Sequence, residues 1–98
     1  MKKYNLIIKE EAKEEIIEAY SWYENKQIEL GERFVNTIDE YFNSISLYPQ
    51  QYHIEFDNMH KVVVKEFPFI IIFEIENNDV VVYAVFHTKQ NPDKLKRK

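Results

Sequence analysis

Four residues in the second half of the chain are of the types that phosphodiester chemistry uses: Lys61, Lys65, His87 and Lys89. Cleaving RNA without a metal needs a group to take the 2′-OH proton, a cation beside the developing phosphorane charge, and a proton donor for the leaving oxygen. Lys61 and Lys65 lie four residues apart in a run of branched residues. On a strand they share one face, opposite Val62 and Val64. His87 ends a later apolar run, and an imidazole is the side chain that can serve as acid or base near neutral pH. The plainer reading stands beside this one: a solvated lysine face, a surface histidine, and a basic residue on a frayed terminus.

Other chemistries find less support. His53, His60 and His87 follow no metal-ligand spacing, and the chain has no Cys to complete a site. The absence of Cys also excludes disulfides and thiolate catalysis, and suits a reducing cytosol. No Gly-rich phosphate loop, nucleophile elbow or HExxH motif occurs. Neither a metal nor a cofactor is therefore expected. Glu66 beside Lys65 reads equally as a surface ion pair and as a base. Most of the tyrosines sit at core spacing. Trp22 falls off the apolar stripe of its helix, where a large aromatic serves either as edge packing or as an interface anchor.

The elements that position these residues are legible in the patterning. His60–His87 holds three β-rich runs, Val62–Val64, Phe69–Ile75 and Val80–Phe86, rich in branched and aromatic residues. Pro68 separates the first two, and Asn77-Asn78-Asp79 closes a hairpin between the last two. This predicts a three-stranded antiparallel meander. Tyr52–Phe56 alternates as a fourth strand. Upstream, Tyr4–Ile8 reads as a short strand, followed by a helix that starts at Glu10 or Glu11 with acids at its positive end. Ala12, Ile16, Ala19, Tyr20 and Tyr23 form its inner face, and it stops around Asn25–Gln27. Phe34, Ile38, Tyr41, Phe42 and Ile45 repeat that spacing in a second helix, which Tyr48-Pro49 ends. The expected fold class is α+β: an N-terminal strand and a helix hairpin packed on an antiparallel sheet, in the order β-α-α-β-β-β-β.

The 98 residues are expected to form a single domain over 1–98, with a basic tail from about residue 88. The net charge of −4 is uneven: residues 1–50 carry six basic and ten acidic side chains, residues 51–98 seven of each. A nucleic-acid binder usually shows a strong basic field, and this chain has at most a local patch. The N-terminus reads as a strand and a helix start, not as a signal peptide. No apolar run approaches the roughly 18 residues of a membrane span.

Several short motifs recur in this order: Trp22-Tyr23-Glu24, Leu30-Gly31-Glu32-Arg33-Phe34, Ile45 with Pro49, Phe67-Pro68-Phe69, Val82-Tyr83-Ala84-Val85-Phe86-His87, and Pro92. Together they resemble the RelE/ParE toxin superfamily of bacterial type II toxin–antitoxin pairs over nearly the whole chain, and lean toward its ParE-like branch. The resemblance implies a cytoplasmic toxin that inhibits growth through DNA gyrase and is neutralised by a small cognate antitoxin. It marks Trp22, Tyr23 and Arg33 as partner contacts. Lys61 and Lys65 stand where members commonly carry Arg before the Phe-Pro pair, and lysine lacks arginine's planar two-pronged grip on phosphate. The chain also ends Lys-Arg-Lys, without the terminal His-Tyr of some ribonuclease members. Two alternatives remain open: a RelE-like ribosome-dependent mRNA endonuclease using Lys61, Lys65, His87 and Lys89, and an inactive homologue that acts only as a binding module. The oligomeric state is left undetermined.

Overall fold

The chain opens with β1 (Asn5–Ile8) and turns directly into α1 (Glu10–Lys26), whose first turn carries Glu10 and Glu11 and whose last carries Lys26, each sign at the favourable end of the dipole. The computed structural model describes residues 3–89. The basic tail from residue 90 onward, with Pro92, Lys94, Lys96, Arg97 and Lys98, lies outside the described residues. The buried stripe of α1 is Ala12, Glu15, Ala19 and Tyr23, with Ile16 half-buried. Tyr20, expected on that stripe, is 40% exposed. It sits at the edge of the crossing with the second helix, where its carbonyl and ring meet Gly31 rather than the sheet.

A short loop leads into α2 (Leu30–Leu47), which buries Phe34, Ile38, Phe42 and Ile45 as its spacing predicts, with Tyr41 half-buried. The loop is fixed by Glu24 of α1. Its carboxylate accepts from the Glu29 N–H at 2.9 Å and the Gly31 N–H at 3.0 Å, so one helix caps the next. Glu29 thereby holds a left-handed conformation, φ 72°. Tyr48 ends α2, and a 3₁₀ turn over Pro49–Gln51 delivers the chain to the sheet.

The remaining strands are β2 (His53–Phe56), β3 (Met59–Val64), β4 (Phe69–Glu76) and β5 (Asp79–His87). The sheet order is β1-β5-β4-β3-β2. β2 to β5 pair antiparallel as consecutive neighbours, as the meander predicts. β1 joins in parallel beside Asp79–Val82 of β5, so the sheet is mixed. The β4–β5 turn uses Asn77 at φ 57°, a conformation asparagine tolerates.

Both faces of the sheet are apolar. The helix side collects Val62, Val64, Phe69, Ile71, Phe73, Val80, Val82 and Val85. There Tyr23, Phe34, Phe67 and Phe69 interlock with ring centroids 4.8–6.2 Å apart, an arrangement worth about 0.5–1.5 kcal/mol per pair beyond burial. The opposite face gathers Met59, Ile70, Ile72, Ala84 and Phe86, with Phe56 and Tyr83 against them. The change of phase along β5 has one cause. Ile72 pairs with Ala84 but Phe73 pairs with Val82, so Tyr83 is an extra residue in a β-bulge. Before it the even-numbered residues face the helices; after it, the odd. No helix among the described residues is long and apolar enough to cross a membrane.

Candidate functional site

β1 pairs with β5 only as far as Val82, whose carbonyl accepts from the Lys9 N–H at 2.9 Å. There the chain swings away into α1. Beyond that point α1 lies alongside the edge of β5 in place of a strand, and a groove of about 360 Å³ opens between them. Glu15, Glu18, Ala19 and Trp22 form its helical wall, with Val85 and His87 opposite and Tyr23 and Phe69 in its floor.

Each side chain is placed by a local cause. Ala19 and Tyr23 belong to the buried stripe of α1, and Trp22, one residue before Tyr23, falls at the lip, 56% exposed. Its ring meets Tyr23 edge-on at 5.1 Å, and the Lys26 ammonium lies 4.8 Å from its centroid. Burial pushes the Tyr23 phenol above its usual pKa. Glu15, buried among apolar neighbours, is held by the protein backbone: its Oε1 accepts from the Val85 N–H at 2.9 Å. His87 stands edge-on to Phe69 at 5.4 Å, and its Nδ1 accepts from the Lys89 N–H at 3.1 Å.

The four residues singled out for phosphodiester chemistry are distributed over the fold. His87 ends β5 at the groove, and Lys89 follows two residues on, its backbone N–H donating to His87 Nδ1. Lys61 pairs with Ile72 and projects from the opposite face, flanked by Met59 and the exposed Val63. Val62 and Val64 point inward, as the period-two reading has it. Lys65 lies just past the end of β3, in the turn, where its N–H donates to the Tyr41 hydroxyl at 3.1 Å. That hydroxyl in turn donates to Glu66 at 3.2 Å. The ladder Val64–Phe69–His87 puts β4 between Lys65 and His87, two strand spacings or about 10 Å. Of the expected partner contacts, Trp22 stands at the groove lip, Tyr23 is buried and lines the groove, and Arg33 is exposed on α2 away from its walls. Among the described residues no three His, Cys, Asp or Glu side chains come together as a metal site would require.

Glu15 and Glu18 escaped the sequence reading because they sit in a dense acidic run, where a carboxylate reads as solvated. The available signal was positional: residues 12, 15, 19 and 23 recur at helical spacing, and one of them is a glutamate.

Comparison with known proteins places these features in context. The sequence model described as "ParE toxin of type II toxin-antitoxin system, parDE" matches residues 6–92. The fold is similar to a solved structure titled "Chromosomal ParDE TA system from P. aeruginosa", with a TM-score of 0.77, covering 89% of this chain and 98% of that one. At 15% identity that likeness speaks for the fold. No curated protein matches the sequence.

Proposed function

We propose, since this chain belongs to the ParE toxin family of type II toxin–antitoxin systems, that it arrests bacterial growth in the cytoplasm by acting on DNA gyrase. On this reading it works as a single domain over residues 1–98 and is neutralised by a cognate antitoxin. That antitoxin gains its affinity by folding onto the toxin at a cost in ordering entropy.

Beyond the family match, the separation of the candidate catalytic groups supports a target-binding poison over a nuclease. Acid–base and electrostatic catalysis on one phosphate requires its groups within hydrogen-bond reach of the same few atoms. Lys61 occupies one face of the sheet and His87 the other, with Lys65 beyond β4. The rival reading, a ribosome-dependent mRNA endonuclease, draws on the closeness of His87 and Lys89 in the chain, where the Lys89 backbone N–H donates to His87 Nδ1.

Producing the chain alone in a bacterial host, with growth and the DNA-damage response followed together, separates these readings. Arrest with induced damage is the expected result. Arrest without damage, lost in a folded Lys65→Ala/Lys89→Ala variant, would replace gyrase with mRNA as the target. Undisturbed growth would leave a binding module.

A further inference from the structure

β1 closes the sheet on one side, and its outer edge is open. The Asn5 N–H donates to the Asn78 carbonyl and the Lys9 N–H to the Val82 carbonyl, each at 2.9 Å, so the odd-numbered residues face β5. By alternation Leu6 and Ile8 turn both N–H and C=O outward, where no backbone partner meets them among the described residues. Tyr4 and Glu10 continue this row with one group each. Tyr4 presents its C=O but not its N–H, which donates to the Ser46 carbonyl at 2.9 Å. Glu10 presents its N–H, one of the unpaired donors that open a helix, but not its C=O, which turns into α1. Leu6 and Ile7 are 37% and 42% exposed, and α2 stands off from the edge across an open groove of about 650 Å³.

The two edges of the sheet differ in how they are guarded. β2, the other outer strand, has a bulge between Ile54 and Phe56 and carries His53 and Glu55, 3.7 Å apart. Bulges and polar or charged side chains discourage pairing with another chain. Asn5–Ile8 has unbroken register, no charged residue and no proline.

The open row is complementary to itself in one register. Facing residues of an antiparallel pair exchange both of their N–H···O bonds. About a two-fold axis at Ile7, Leu6 meets the second copy's Ile8, and Tyr4 meets the second copy's Glu10. The groups missing from the row, the Tyr4 N–H and the Glu10 C=O, are each other's partners in this register, so every group that is present is paired. An axis at Leu6 would set the Ile8 C=O against the occupied Tyr4 N–H. An axis at Ile8 would set the Leu6 N–H against the missing Glu10 C=O. The charges agree with the axis at Ile7, since it brings Lys3 to the first turn of the second copy's α1, which carries Glu10 and Glu11.

We infer that β1 pairs antiparallel with β1 of a second copy of this chain about a two-fold axis at Ile7, joining the two sheets into one. Such a contact is isologous, the same patch on both copies. Its apolar part is Leu6, Ile7 and Ile8 alone, which places it below the roughly 1,200–2,000 Å² of a standard interface. The dimer therefore forms at high protein concentration and dissociates on dilution. The inference stands on the geometry of the edge and does not depend on the toxin reading.

The test follows the full chain from dilute to concentrated solution by analytical ultracentrifugation and amide hydrogen exchange. Concentration should convert monomer to dimer and slow exchange at the Leu6 and Ile8 amides about tenfold or more, with His53–Phe56 unchanged. Ile7→Lys and Ile7→Glu change an exposed side chain, and circular dichroism should show both folded. Each sets like charges against each other at the axis and should weaken the dimer about tenfold or more. Mixing the two variants should restore it, because residue 7 faces residue 7. A monomer at every concentration overturns the inference and leaves the edge to a different partner. Protection at β2 instead of β1, a dimer indifferent to Ile7→Lys, or a mixture that stays monomeric overturns it as well. Leu6 and Ile8 amides already protected in the dilute monomer would mean that the chain covers its own edge, which also removes the second copy.

Discussion

Gly31→Ala should destabilise the protein, although alanine is the better helix former. A methyl built on Gly31 would lie 2.6 Å from the Tyr20 carbonyl oxygen, and 2.9 Å from both the Tyr20 ring and the Glu24 carboxylate. Glu24 has a flexible side chain and can yield, but the Tyr20 carbonyl is backbone within α1. Reaching the 3.4 Å of ordinary contact requires the helices to part by about 0.8 Å at their crossing. That movement loosens Tyr23 and Phe34, which pack ring to ring one turn away at 5.4 Å. It also lengthens the bond from the Gly31 N–H to Glu24 that caps α2. Overpacking of this kind costs about 1–3 kcal/mol, and loss of the cap about 1 kcal/mol more. Against this stands a propensity gain of at most about 1 kcal/mol, since Gly31 lies in the first turn. The expected net loss is about 1–3 kcal/mol, which for a chain of this size lowers Tm by roughly 5–20 °C. Urea and thermal melts followed by circular dichroism measure it directly. Tyr20→Ala in the same background removes the ring contact but not the carbonyl contact, and should recover only part of the loss. A Gly31→Ala chain as stable as the original would refute the reasoning, because the crossing would then accommodate a methyl without strain.

Two further outcomes follow from the core. Phe69 is buried against Phe34 at 4.8 Å and His87 at 5.4 Å, so Phe69→Ala should cost about 3–5 kcal/mol in urea unfolding; an unchanged midpoint would mean that the ring does not face the helices. His60 is buried, stacks on Phe73 at 4.8 Å, and has no hydrogen-bond partner at Nδ1. Desolvation holds its pKa below the usual 6.5, partly offset by the backbone of Asn58 and Phe73. Stability from this group is complete above pH 6.5 and declines as pH falls toward the folded-state value, because the unfolded chain takes up the proton first. The slope reaches at most about 1.4 kcal/mol per pH unit. His60→Leu should flatten the urea midpoint between pH 7 and 5.5 relative to the unaltered chain, and parallel curves for the two would exclude His60 as the cause.

Much of the fold was readable because it rests on local rules. Helical spacing placed Phe34, Ile38, Phe42 and Ile45 in the core, and the Pro49 and Asn77–Asp79 breaks ended elements where the chain ends them. In the motifs at residues 22–24 and 30–34 the sequence assigned Tyr23 and Phe34 to helix faces and Trp22, Tyr23 and Arg33 to a partner surface, and gave Glu24 and Gly31 no role. In the structure much of each is architectural: Glu24 caps α2, Gly31 lets the helices touch, and Tyr23 meets Phe34 in the core. The candidate site was readable only in part. Trp22 and His87 stood out by type, but nothing local joined them, since they meet only when α1 lies along β5.

The sequence alone determined the class of the protein: two amphipathic helices, a meander and an N-terminal strand, in an order that resembles one toxin superfamily. Periodicity carries that information because side-chain direction follows from backbone geometry one residue at a time. What only the tertiary structure decided is the phase and the company of each residue. Strict alternation in Val80–His87 would put Ala84 and Phe86 with Val80 and Val82. The bulge at Tyr83 turns them to the other face, and brings Val85 and His87 to the groove. That bulge is set by register against β4, and the open edge beside it by the length of β1. Both are pairings between residues distant in sequence, beyond the reach of any local period.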